Sequence, residues 1–233
     1  MKLAIMQPYF LPYIGYFQLI NAVDEFVIYD NIEFTKRGWI NRNRILVNGT
    51  DIVLTLPLKK DSDYLHVIDR FLADTWEVER MKMLNRIAES YRKAPFFKEV
   101  YLVLEKCILY EERNLFKFIL HSVQTIMKYL NIDTNLVVSS TISINHKLKS
   151  EEKVIAICKK RGAEVYINPI GGQELYNKER FLKNNIELKF QKSNNITYSQ
   201  FNNEFTPWLS IIDVVMFNHK DDIPSILNNY SFI

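Results

Sequence analysis

Two short apolar runs near the start of the chain, Leu3-Ala4-Ile5-Met6 and Phe26-Val27-Ile28-Tyr29, flank a segment in which Phe17, Leu19, Ile20 and Val23 recur at helical spacing. Strand, helix and strand in that order form a β-α-β unit. A helix-length crossover joins parallel strands, whereas antiparallel neighbours need only a short turn. The opening of the chain therefore constrains the fold more than any other feature, because a parallel sheet needs helices on its faces.

The same alternation resumes further on. Leu136-Val137-Val138 reads as a strand, and Ser150–Arg161 as a helix with Glu151 and Glu152 in its first turn, Lys159, Lys160 and Arg161 in its last, and Gly162 as its stop. Ser150 is the expected cap of that helix. Val165-Tyr166-Ile167-Asn168 and Leu188-Lys189-Phe190 follow as strands, and residues 209–217 as a terminal helix. Ile52-Val53-Leu54-Thr55-Leu56, after the turn pair Asn48-Gly49 and before Pro57, reads as a third strand. Residues 75–131 turn helical, with further helices expected over 99–111 and 114–129. The expected architecture is an α/β domain spanning 1–233, with a doubly wound, mostly parallel sheet and a helical insertion at 75–131.

Composition excludes several classes. With 48% hydrophobic and 24% charged residues, the 233-residue chain is globular in character. Its net charge of +3 arises from 30 basic and 27 acidic side chains spread along the sequence, which gives no reason to expect nucleic acid as a partner. No apolar run approaches the length of a membrane span, and the stretch before Pro8 is too short for a signal-peptide core. Cys107 and Cys158 sit in apolar helical patterns and are expected as buried free thiols, fitting a reducing, cytoplasmic compartment. His66, His121, His146 and His219 lack metal-ligand spacing, so no metal is assigned. Neither a GxSxG elbow nor a P-loop occurs.

Ligands of open parallel sheets bind beyond the carboxyl ends of the strands, so the residues following each strand are the functional candidates. After the first strand come Gln7, Tyr9, Tyr13, Gly15 and Tyr16, in a turn stiffened by Pro8 and Pro12 that opens a helix. After the second come Asp30 and then Lys36, Trp39, Asn41, Arg42, Asn43 and Arg44. Cations suit phosphates, amides read hydroxyl or carbonyl groups, and an indole offers a stacking face, a mixture fitted to a nucleotide-linked sugar. The plainer alternative is a solvated basic loop anchored by Trp39. Further along, Ser139, Asn168, Tyr176, Tyr198 and Gln200 complete the expected binding set. Asp30 and Asp213 are the candidate bases toward a substrate amine. Ser210-x-x-Asp213 also reads as a helix cap followed by a first-turn acid.

Two resemblances enter here. The Tyr13-x-Gly15-Tyr16 helix opening is similar to the HxGH motif of nucleotidylyltransferases, with tyrosine at both histidine positions, and a phenol lacks the charge of an imidazolium. More extensively, QPYFLPYIGYFQLI, DEFVIYDNIEFTKRGWINRNRIL, YRKAPFF, YINPIGGQELY and YSQFNNEFTPWLSIIDVVMFN resemble the WbqC-like family across nearly the whole chain. Asn31-Ile32-Glu33 departs from that family's pattern of an acidic residue and Gln. The resemblance implies a cytoplasmic role in bacterial surface polysaccharide synthesis, such as O-antigen or capsule. It implies acyl or aminoacyl transfer, or ATP-dependent amide ligation, on a nucleotide-linked amino sugar, with ATP as a candidate co-substrate. The competing reading is a non-catalytic nucleotide-sugar or glycan binding module.

Overall fold

The computed structural model describes residues 1–62 and 64–233. The first strand, β1 (Lys2–Met6), is followed by α1 (Ile14–Asn21) and then by β2 (Glu25–Ile28), which pairs parallel to β1 from Leu3 opposite Glu25 to Met6 opposite Ile28. The expected β-α-β unit is present. Along β1, Ala4 packs into one hydrophobic cluster while Leu3 and Ile5 pack into another; Phe26 and Ile28 of β2 likewise oppose Val27. Successive side chains of a strand point to opposite faces, so an unbroken apolar run is what a sheet covered on both sides requires.

A hairpin follows, formed by β3 (Arg42–Val47) and β4 (Thr50–Thr55), and then three helices, α2 (Trp76–Tyr91), α3 (Phe97–Ile108) and α4 (Leu115–Tyr129). The alternation returns with β5 (Asn135–Val138), α5 (Ser150–Arg161), β6 (Val165–Pro169), α6 (Lys178–Leu182) and β7 (Glu187–Ser193). The chain closes with α7 (Ile211–Phe217), α8 (Ile223–Leu227) and β8 (Tyr230–Phe232). The six-stranded sheet has the order β5-β2-β1-β6-β7-β8 and is parallel except for β8, which pairs antiparallel at the edge beside β7. From β1 the chain winds outward through β2 to β5 on one side and through β6 to β7 on the other. The topological switch point therefore lies between β1 and β6, the place where such sheets open a crevice at their carboxyl ends.

The third strand differs from expectation in its partner. β4 does not join the main sheet; it pairs antiparallel with β3, in register from Arg42 opposite Thr55 to Val47 opposite Thr50. Asn48 and Gly49 both have positive φ, 50° and 80°. That is the conformation of a two-residue hairpin turn matched to strand twist. Most of β4 is exposed, as one layer of a surface hairpin must be.

The α5 helix ends as its sequence predicts, on Gly162 at φ 70°, a left-handed position suited to glycine. Its start differs: Lys149 occupies the cap position and makes no side-chain cap bond, while Ser150 lies inside the helix. Glu151, in the first turn, accepts the backbone N–H of Asn177 at 2.7 Å and pairs with Arg180 at 2.8 Å, tying α5 to α6. Cys107 and Cys158 are free and buried in separate clusters, and burial pushes both thiols up to about 12.

Candidate functional site

The residues after β1, β2, β6 and β7 surround one cavity of about 1150 Å³. Adjacent strands stand about 4.8 Å apart, so a hollow crossing four strand ends is roughly 14 Å long. Its wall contains Gln7, Tyr9, Tyr13 and Gly15 from the first crossover, Tyr29, Asn31 and Glu33 after β2, and Trp39 from the approach to β3. Asn168, Gly171 and Tyr176 follow β6, and Gln191 and Ser193 belong to β7.

The two early segments meet there through the backbone. Phe10 N–H donates to Ile40 O at 3.0 Å, and Asn43 Nδ2 donates to Leu11 O at 3.0 Å and Phe10 O at 3.3 Å. Trp39 thus arrives beside Tyr9 on the same wall. The basic residues stand behind it: the Arg42 and Arg44 guanidinium carbons lie 5.7 and 5.9 Å from the Trp39 ring centre. Arg42 donates to Gly38 O and Arg37 O. Arg44 pairs with Asp51 at 2.9 Å and donates to Trp208 O at 3.1 Å, while Asn41 donates to Leu56 O at 2.9 Å. Arg42, Asn43 and Arg44 are therefore strand residues that brace the hairpin, and neither they, Asn41 nor Lys36 stands among the described residues lining the cavity. Tyr16 is 2% exposed and donates to Gln7 O at 2.9 Å, so of the Tyr13-x-Gly15-Tyr16 trio its phenol alone turns into the core.

Gly15 is placed by contact. A Cβ at this position would lie 2.3 Å from Tyr13 Cε2 and 2.7 Å from Ser193 Oγ. Alanine is the better helix former, but the overlap outweighs that gain. Gly15→Ala is expected to displace the Tyr13 ring and to cost about 1–3 kcal/mol, which thermal unfolding would check; an unchanged melting temperature would mean that the ring yields without resistance.

Neither expected carboxylate lines the cavity. Asp30 is 1% exposed; its Oδ1 accepts from Ser140 N at 2.9 Å and lies 2.8 Å from Ser139 Oγ. Ser139 is also 2.7 Å from Asn31 Oδ1, so the Asp30-Ser139 pair fixes the end of β2 against the turn after β5 and orients Asn31 above it. Asp213 is fully buried elsewhere, with Tyr91, Tyr198 and Gln200 as its donors. Among the described residues of the cavity wall, the carboxylate is Glu33, which is exposed.

The wall also holds a cation that the sequence did not single out. Lys153, on the first turns of α5, is 7% exposed, and its Nζ donates to Asn31 Oδ1 at 3.1 Å and Asn31 O at 3.3 Å, 5.1 Å from the Tyr29 ring centre. Burial lowers its pKa and the nearby Asp30 charge opposes that shift. His146 Nε2, 3.0 Å from Ile142 O, must carry the ring hydrogen, so Nδ1 accepts from Asn31 Nδ2 at 3.0 Å. Lys147, Lys149 and Ser150 stand alongside at the start of α5. Helix N-termini favour negative charge, and here one is joined to a partly desolvated ammonium. An anion docking at this end restores the preference of Lys153 for its charged form. Among the described residues, no group of three or more His, Cys, Asp or Glu side chains is placed to hold a metal.

A six-stranded sheet with helices on both faces and its crevice at the switch point is a doubly wound, Rossmann-like α/β protein. The chain belongs to the WbqC-like protein family, whose model matches residues 7–224. It is 29% identical over 230 residues to the "Uncharacterized protein Rv1507c" of Mycobacterium tuberculosis (strain ATCC 25618 / H37Rv), with 97% of each chain covered. No solved structure matches. No helix among the described residues is long and apolar enough to cross a membrane.

Proposed function

We propose that the protein is a cytoplasmic enzyme of bacterial surface-polysaccharide synthesis that forms an amide on a nucleotide-linked amino sugar within this cavity. The observation that carries the reading is a hollow of about 1150 Å³ with a buried lysine and a helix N-terminus at one end and a single carboxylate, Glu33, on the described wall. Drug-sized ligands occupy pockets of roughly 300–1,000 Å³, so the space suits a larger, two-part ligand. In this reading Lys153, with Lys147 and Lys149, holds the diphosphate, Tyr9, Tyr13 and Trp39 offer ring faces, and Glu33 receives the proton of the sugar amine. Asp30 and Ser139 position Asn31 rather than touching substrate.

The neutral amine attacks the carbonyl carbon of an activated acyl donor, an acyl phosphate or a thioester. A C–N bond forms, the C–O or C–S bond breaks, phosphate or thiolate leaves with its electron pair, and the amine proton passes to Glu33. If the donor is a free carboxylate, ATP supplies the activation, being consumed as the acyl phosphate forms.

Incubation with nucleoside diphosphate amino sugars, ATP and candidate acyl donors, followed by mass spectrometry of the products, tests the proposal. A mass gain equal to the acyl group supports it. Thermal stabilisation by the sugar without product for any donor would replace the enzyme with a binding module. Lys153→Met is expected to weaken binding of the nucleotide sugar by about 1.5–3 kcal/mol, the worth of a charged hydrogen bond. Calorimetry giving equal affinities would take Lys153 out of the phosphate subsite.

A further inference from the structure

Beside the main cavity lies a second, smaller one of about 280 Å³. Its wall is largely hydrocarbon, with Ile14, Ile196, Phe205, Pro207, Leu209 and Val214 around it. Tyr13, Ser193, Asn195 and Trp208 line both spaces, so the two adjoin across one partition. That partition is built at a conformational cost. Trp208 has φ 61°, a left-handed backbone that disfavours bulky side chains, and the residue is 60% exposed. Its carbonyl is held by Arg44 at 3.1 Å, and its ring meets Tyr13 edge-on with centroids 5.9 Å apart. A strained, exposed indole pinned at the junction of two cavities is better accounted for by a contact it makes with a ligand than by packing, since packing would bury it.

We infer that the small pocket holds the hydrocarbon chain of the acyl donor, with the acyl carbonyl directed past Ser193, Asn195 and Trp208 toward the main cavity. This rests on the amide-forming reading and narrows it, because a pocket walled by aliphatic and aromatic side chains gains nothing from a glycyl or formyl group. The transferred group is then a short alkanoyl or branched acyl group rather than glycine.

Straight-chain carboxylates from acetate to octanoate, titrated by calorimetry and by tryptophan fluorescence, provide the test. Affinity is expected to rise roughly fourfold for each added methylene, the increment of burying one CH₂ group, and then to stop where the pocket is full. Ile196→Trp, whose parent residue lines the small pocket alone, should move that limit to shorter chains while binding a nucleoside diphosphate amino sugar as the parent does, and Trp208→Ala should flatten the series. A flat series in the parent, or an unchanged limit in Ile196→Trp, overturns the pocket and leaves the proposed function intact if the sugar still binds. A graded series from a protein that binds no nucleotide sugar overturns the assignment of the chain to an acyl donor.

Discussion

Glu33→Gln is expected to abolish amide formation almost completely, lowering kcat by roughly 10²–10⁴-fold, the usual worth of a positioned proton acceptor. The affinity for the nucleotide sugar should change little. Glu33 is exposed and lines the cavity, so glutamine keeps the shape and polarity of the wall and removes only the ability to accept a proton. In the proposed reaction the neutral amine sheds a proton as its nitrogen attacks, and Glu33 is the carboxylate on the described wall that accepts it. Asp30→Asn tests the rival assignment: as Asp30 is 1% exposed and bound to the Ser139-Ser140 turn, its loss should loosen Asn31 and Lys153, raising KM more than it lowers kcat. If Asp30→Asn proved the inactive enzyme and Glu33→Gln retained its turnover, the base would be Asp30, and the cavity would have to open further than the structure does.

The strands of the main sheet were legible because parallel pairing leaves an unambiguous mark. β1, β2, β5 and β6 carry short apolar runs and β7 places Leu188 and Phe190 on one face, and each lies within a few residues of its sequence expectation. β8 and α8 leave no readable pattern: an edge strand of three residues, Tyr230–Phe232, and a helix of five, Ile223–Leu227, are too short to show a period. The β3-β4 hairpin escaped in part. Asn48-Gly49 reads as a turn, but Arg42-Asn43-Arg44 reads as a charged loop when met alone. Only in pairing does it become a strand with Asn43 turned inward and the arginines half-buried.

The lining of the candidate cavity was legible to a similar extent and for a related reason. Residues immediately after strands come to the cavity by topology, which is how Gln7, Tyr9, Tyr13, Trp39, Asn168 and Tyr176 were anticipated. Lys153 was not, since in the sequence it belongs to a polar first turn, Ser-Glu-Glu-Lys, that resembles any solvated helix start. Its burial depends on Asn31, more than a hundred residues earlier, and no local pattern records such a contact. Lys36, Arg42 and Arg44 do not stand among the described residues lining the cavity, and Arg42 and Arg44 are engaged with backbone carbonyls and Asp51, which is why the proposed reading gives the phosphate to Lys153.

Asp213→Ala should destabilise the protein by about 3–5 kcal/mol, each abandoned buried donor costing roughly 1–3 kcal/mol. Three donors converge on this carboxylate: Tyr198 Oη at 2.7 Å and Gln200 Nε2 at 2.6 Å on one oxygen, and Tyr91 Oη at 2.9 Å on the other. Tyr91 in turn accepts Leu46 N–H at 2.9 Å, so a single acid joins α7, the end of α2, β3 and the 198–200 segment. For a chain of this length each kcal/mol lowers Tm by roughly 2–4 °C, giving a fall of about 6–20 °C. Burial raises the Asp213 pKa, and the three hydrogen bonds restrain that rise without cancelling it. A carboxyl group whose folded pKa lies above its unfolded value of 3.8 contributes stability below that value, and the contribution is lost as pH climbs through the folded pKa. Asp213→Asn, which keeps one acceptor oxygen and cannot ionise, should therefore close part of its stability gap to the parent as pH rises from about 4. Denaturant midpoints collected across the acid range decide the matter: a gap that widens with pH would mean that the donors, not burial, set the ionisation of this buried acid.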